Sequence, residues 1–102
     1  MIIYNVTIKV DWLIHEEWFT WMKDKHIPCI LATGLFTGLK MVRLLKIDDT
    51  DGPTYAVQFD AESMDQFNEY GSAFEDLHRE NVVNKWGNFI VDFSTLMEVV
   101  FQ

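Results

Sequence analysis

The chain is poor in cysteine, in basic charge and in long apolar runs, and each shortage excludes something. Cys29 is its one cysteine, so no intrachain disulfide can form, and a reducing, cytoplasmic setting is expected. Lysine and arginine number 8 against 16 aspartates and glutamates, a net charge of −8. No basic run occurs. An acidic surface repels phosphate backbones and anionic bilayers, so neither nucleic-acid nor membrane partners are expected. No apolar stretch approaches the roughly 20 residues that span a bilayer. The opening MIIYNVTIKVD lacks a basic leader and alternates apolar with polar residues, the pattern of a strand and not of a signal peptide.

What is present is apolar and aromatic. Hydrophobic residues make up 49% and aromatic residues 15% of the 102 positions, enough for one domain, residues 1–102, with a real core. Four Trp and eight Phe exceed what a thin monomeric core readily uses. That excess, beyond ordinary core packing, hints at self-association.

Residues 2 to 10 alternate as a strand: Ile2, Tyr4, Val6, Ile8 and Val10 share one face, and Ile3, Asn5, Thr7 and Lys9 the other. Asp11 offers an N-cap for a helix to about Lys25. Its apolar arc is broad, with Ile14, Trp18 and Trp21 on one stripe and His15, Phe19, Met22 and His26 beside it. Pro28 predicts a stop or kink near His26, a short new turn over Ile30–Ala32, and a left-handed cap at Gly34. A second strand is expected from Phe36 to Ile47, then an acidic turn, then a third strand from Thr54 to Asp60. Ser63 and Gln66 read as a capping box. The helix that follows would be about 36 Å long if straight to Trp86, so a break near Gly71-Ser72 is expected, with Gly87 closing it. A fourth strand begins at Asn88 and should bend near Ser94-Thr95 or reach a partner's edge.

The order is β-α-β-β-α-β with a short extra strand at the end: an α+β, ferredoxin-like fold with an antiparallel sheet and both helices on one face. The other sheet face is bare in a monomer. The cheapest cover for it is the sheet of an identical chain, which would make a dimeric α+β barrel.

Several motifs carry a resemblance over essentially the whole chain. They are Trp18 to Lys25, His26-Ile27-Pro28, Thr33-Gly34, the capped second helix, Trp86-Gly87-Asn88 and Leu96-Met97-Glu98-Val99. Together they resemble a bacterial domain-of-unknown-function family grouped with the dimeric α+β barrels, which include the antibiotic-biosynthesis monooxygenase-like proteins. The resemblance implies a homodimer with a pocket between sheet and helices in each protomer. It also implies a range of roles: cofactor-free monooxygenases, haem-degrading enzymes, isomerases, dehydratases and non-catalytic proteins. Fold does not choose among these. In that family an Arg commonly precedes the Thr of the last strand; here the position is Ser94.

His26 is the main candidate for chemistry. It ends the aromatic helix beside Pro28, where it can face the helix–sheet gap as a general acid or base. The plainer reading is a histidine capping a helix C-terminus. Trp18, Trp21 and Met22, with Phe19, offer an aromatic wall for a ligand or ordinary core packing. Asn5, Thr7 and Arg43 offer polar contacts to the same pocket, or face solvent or the dimer seam. His15 lies about 16 Å from His26 along a continuous helix, so the two cannot share a metal. No metal and no cofactor is expected. Cys29 reads as a buried apolar cysteine rather than a nucleophile. The acidic turn Asp48 to Gly52 fails the calcium-loop pattern, because Ile47 and Gln58 occupy ligand positions. A homodimer that binds a small molecule is thus set against a cofactor-free monooxygenase, isomerase or dehydratase using His26. A haem-handling protein stands behind both.

Overall fold

A computed structural model describes residues 1–102. Four strands, β1 (Ile2–Val10), β2 (Gly38–Arg43), β3 (Thr54–Ala61) and β4 (Ile90–Glu98), form one sheet in the order β2-β3-β1-β4. All three pairings are antiparallel. The β-α-β-β-α-β order read from the alternation is the order observed, but the short extra strand expected at the end is absent, since residues 99–102 form no strand.

Period-2 alternation decides what each face carries. Tyr4 sits between Phe59 and Leu96, Val6 between Val57 and Ser94, and Ile8 between Tyr55 and Asp92. These residues face the helices, and Tyr4, Ile8, Tyr55, Val57 and Phe59 are buried there. The other face carries Asn5 opposite Gln58 and Thr95, and Thr7 opposite Ala56 and Phe93. No helix covers that face, and Val42, Val91 and Phe93 lie exposed on it.

The first helical arm occupies residues 12–31. Asp11, extended at φ −62° and ψ 133°, accepts a hydrogen bond from the Leu13 N–H at 2.8 Å. A 3-10 turn (Trp12–Ile14) leads into an α-helix (His15–Trp21), a π turn (Met22–His26) and a last α turn (Ile27–Leu31). Of the stop or kink expected near His26, the stop does not occur: His26 and Ile27 both keep right-handed helical angles. The π turn is the reason. Pro28 has no N–H to donate and its ring crowds the carbonyl four residues back. The Ile27 N–H bonds the Met22 carbonyl five residues back, and the widened turn carries the chain past the proline. The inward residues are Trp18, Met22, Ile27 and Ile30. The step of five from Met22 to Ile27 keeps them in line across the turn. Gly34, at φ 76°, ends the arm in the left-handed conformation expected of it.

The second arm, residues 64–86, repeats the device. A π turn (Gly71–Glu75) joins two α segments (Met64–Tyr70 and Asp76–Trp86), so the expected break at Gly71-Ser72 is a bulge and not an interruption. Ser63 is extended as an N-cap residue should be, but its hydroxyl bonds the Gln66 side chain and not a backbone N–H. Tyr70, His78 and Trp86 are buried on the inner side, and Gly87 closes the arm at φ 53°.

Two strands differ from expectation. β2 ends at Arg43, because the chain turns away through Lys46 at φ 59° and leaves Leu45 exposed. β4 does not bend near Ser94. It pairs with β1 from Val10↔Ile90 to Ile2↔Glu98, and the Val99 N–H continues onto the Met1 carbonyl at 2.9 Å. The loop between β2 and β3 folds back on the first arm, with the Trp12 indole N–H donating to the Asp49 carbonyl at 2.8 Å.

Candidate functional site

A cavity lies between the sheet and the two arms. Tyr4, Val6 and Ile8 of β1 and Val57 and Phe59 of β3 form its floor. Trp18, Met22, His26 and Ile30 close it from the first arm, and Tyr70, His78, Arg79 and Val82 from the second. The floor follows directly from the alternation, since each of these strand residues faces the helices. Both π turns flank the space: Met22 and His26 are the first and last residues of one, and Tyr70 immediately precedes the other.

The cavity offers about 50 Å³ to the centre of a water-sized sphere, where one water needs roughly 10–15 Å³. It therefore has room for a few waters or one small molecule, and none for a haem. Its walls are mainly apolar. Arg79 and Asp92, both exposed and opposite in charge, stand at its rim.

Two histidines border it. The His26 ring stacks on Trp21, with centroids 4.6 Å apart and planes at 16°. It meets His78 edge-on at 6.1 Å. Burial, with the neighbouring His78 adding to it, lowers the His26 pKa from 6.5 to about 4. The ring is therefore neutral at neutral pH, with one nitrogen free to accept a proton. His78 is also lowered by burial. Its Nδ1 lies 2.7 Å from the Tyr70 hydroxyl, and its Nε2 lies 3.6 Å from Cys29 Sγ. Tyr70 has its pKa raised by burial, so it keeps its proton and donates to Nδ1. The His78 ring proton then sits on Nε2, toward the sulfur. Tyr4 is likewise pushed upward by burial and by the Glu75 carboxylate beside it.

Trp18 is fully buried in the cavity wall, at 0% exposure. Its indole Nε1–H has no hydrogen-bond partner. An unpaired buried donor costs about 1–3 kcal/mol. The fold retains two such donors, this one and the Trp86 Nε1–H.

The structure brings together Trp18, Met22 and His26 of the residues singled out from the sequence. Trp21 lies behind His26, edge-on to Trp86 with centroids 5.7 Å apart. Asn5 and Thr7 occupy the open face of the sheet, linked by an Asn5 Nδ2–H to Thr7 Oγ1 hydrogen bond of 3.0 Å. Residues on opposite faces of one strand cannot line one space. Arg43 lies at the far end of β2, paired with Asp49 at 2.7 Å and 5.7 Å above the Trp12 ring. Cys29 is exposed and not buried as expected, because Ile27 and Ile30 take the inward positions of that turn. His15 is committed to the Tyr55 hydroxyl at 2.7 Å, and no group of three His, Cys, Asp or Glu side chains is placed to hold a metal ion. Tyr4, Tyr70 and His78 were not singled out for the pocket. The signal for the last two was present, since Tyr70, Phe74 and His78 recur every four residues along the second arm.

No helix is long and apolar enough to cross a membrane. A family model described as "Domain of unknown function (DUF4286)" matches residues 1–100. No curated protein matches the chain. Among solved structures, one described as a dimeric ferredoxin-like protein from an uncultured marine organism superposes with a TM-score of 0.75 at 10% identity, covering 99% of this chain and 96% of that one. Another, described as an "ethyl tert-butyl ether d (ethd) family protein" from Bacillus halodurans, gives 0.66 at 7% identity, covering 96% of this chain and 98% of that one. At such identities the likeness shows the ferredoxin-like fold and nothing more.

Proposed function

We propose, for a chain that belongs to the DUF4286 domain-of-unknown-function family, that it is a homodimer in the reducing cytoplasm holding a small molecule between its sheet and its helical arms. One observation carries the binding reading: an apolar cavity between the sheet and the arms, bordered by His26 and His78. Small-molecule sites are mostly apolar clefts with a few convergent polar groups, and this cavity has that make-up. Trp18, Met22 and His26 are the residues proposed to touch the ligand. Trp21 supports His26 from behind.

The dimer is supported by the open sheet face, where Val42, Val91 and Phe93 are exposed and where a second sheet would pack. One structural neighbour is described as dimeric, which supports a dimer here. Asn5 and Thr7 fall in that proposed seam, and the buried Asn5 Oδ1 has no partner within the chain. Light scattering should return twice the chain mass of 12.0 kDa. Phe93→Asp should halve the mass with the circular dichroism unchanged. A wild-type chain that stays monomeric at micromolar concentration sinks the dimer. For binding, a screen of small fragments by amide chemical shift should give hits that map to Val57, Met22 and His26 and vanish in Val6→Trp. A screen with no hit at the cavity sinks that reading.

A second reading makes the chain a cofactor-free enzyme of the isomerase, dehydratase or monooxygenase type, with His26 as general base. The observation in its favour is that His26 borders the cavity in its neutral form; its lowered pKa leaves it a weaker base than free imidazole, so the reading rests on position and not on basicity. In heavy water the protein should speed deuterium entry into a simple ketone such as acetone, and His26→Phe should abolish the excess. Exchange no faster than buffer removes this reading.

A further inference from the structure

Apart from the cavity, the two arms leave an open groove between them on the helical side of the molecule. Cys29 lines it from the first arm with Lys25 and His26, and Asn81 and Lys85 line it from the second. Cys29 is exposed. The dimer proposed above uses the other side of the sheet and would leave this groove open.

A buried histidine stands behind the cysteine. His78 is 4% exposed. Its Nδ1 is taken by the Tyr70 hydroxyl at 2.7 Å, and its Nε2 has one bonding neighbour, Cys29 Sγ at 3.6 Å. With Tyr70 donating to Nδ1, the Nε2–H points at the sulfur. A thiol is a weak acceptor, so this buried donor is poorly satisfied while Cys29 keeps its proton. Hydrogen bonds to an ionised acceptor are roughly twice as strong, and the thiolate is also the form that attacks.

The charges lining the groove are of one sign. Lys25 and Lys85 line it and no carboxylate does. Neither lysine is in an ion pair. Glu16, Glu17 and Asp24 line an adjoining groove that shares Trp21, Lys25 and Lys85 with this one. Glu75 stands by Tyr4 and Tyr70. The positive excess is therefore local to Cys29, on a chain whose net charge is −8.

We propose that Cys29 is a site of reversible mixed-disulfide formation with small carboxylate-bearing disulfides. The His78 Nε2–H is the donor to its sulfur, and Lys25 and Lys85 attract the carboxylates. Cys29 loses its proton to water, and its thiolate attacks one sulfur of the small disulfide. A new S–S bond forms as the old one breaks. The Cys29 sulfur is oxidised, and the departing sulfur is reduced and leaves as a thiolate that takes a proton from water. A free thiol reverses the exchange.

Dithiodiglycolate, bis(2-hydroxyethyl) disulfide and cystamine carry carboxylate, hydroxyl and ammonium ends. Each is mixed at neutral pH and low salt with the folded protein and with the urea-unfolded chain, and the adduct is followed by intact mass. As the one cysteine, Cys29 accounts for any adduct that dithiothreitol removes. The hydroxyl compound should react about threefold or more faster with the folded protein than with the unfolded chain. The ratio of dithiodiglycolate to cystamine rates should be about tenfold or more higher in the folded protein; comparing ratios cancels the different leaving groups. That excess should collapse in the Lys25→Gln, Lys85→Gln double variant, both positions being exposed, and in about 1 M salt, where screening acts within about 3 Å. A folded protein slower than the unfolded chain toward the hydroxyl compound overturns the proposal. So does an equal anion-to-cation ratio in the two states, or one that the double variant leaves unchanged. None of these outcomes bears on the cavity or the binding reading.

Discussion

Acid should destabilise this protein through His26. In the folded chain the ring's pKa is about 4, against 6.5 for an unburied histidine. Between those values the unfolded chain binds a proton that the folded chain does not, so stability rises with pH across the window. It is lost as pH falls from about 6.5 and levels off below about 4. Each unit of difference is worth about 1.4 kcal/mol. Integrating from about pH 7 to about pH 4.5 gives a loss near 2.5 kcal/mol, a large part of the roughly 5–15 kcal/mol of a typical domain. His78, lowered in the same direction, adds to the trend. Other groups titrate in the same range, so the informative quantity is a difference between variants. His26→Phe keeps an aromatic ring to stack on Trp21 and removes the proton site. Urea unfolding of both proteins at the two pH values should show wild type losing about 2.5 kcal/mol more than the variant. Parallel losses would refute the reasoning, as would a His26 titrating near 6.5 by NMR.

Two further substitutions test the frame around the cavity. At Gly52 an added Cβ would lie 1.7 Å from the Val10 carbonyl oxygen. Gly52→Ala must therefore push the β2–β3 loop off the end of β1, and calorimetry should show a loss of about 2 kcal/mol or more; an unchanged melting temperature would contradict the packing. Tyr70→Phe removes the donor 2.7 Å from His78 Nδ1 and leaves a buried acceptor unpaired. It should cost about 1–3 kcal/mol in denaturant melts, and a neutral result would mean that His78 has another partner.

The architecture was legible because alternation and capping are local signals. β1 and β3 have a clean period of two, Gly34 and Gly87 mark arm ends, and Ser63 marks a start. The helix interiors were not legible. Pro28 reads as a stop or kink and Gly71-Ser72 as a break, and both arms absorb these in a π turn that a 3.6-residue period does not announce. The cavity was half legible for the same reason. Trp18 precedes the first bulge and Met22 opens it, and both were placed on the inner side by spacing alone. Cys29 follows it, and a spacing of 3.6 residues per turn places it on the wrong side. Asn5 and Thr7 were grouped with the pocket by polarity, but face parity in β1 sends them to the opposite side. Arg43 was carried off by the early end of β2, which a left-handed Lys46 sets and no pattern in the sequence announces.

The two π turns also bear on how such chains should be compared across species. Each amounts to an α-helix holding one residue more than its turns require. A relative that lost one residue between Met22 and His26 would close this turn as an ordinary α turn, with a step of four from Met22 to Ile27 in place of five. Ile27 and Ile30 would keep their inward places, because the bulge takes up the extra residue. A one-position gap inside this helix is therefore compatible with an unchanged core on either side of it. Only the side chains within the turn change direction, and in such a relative the histidine aligned with His26 need not face the same space.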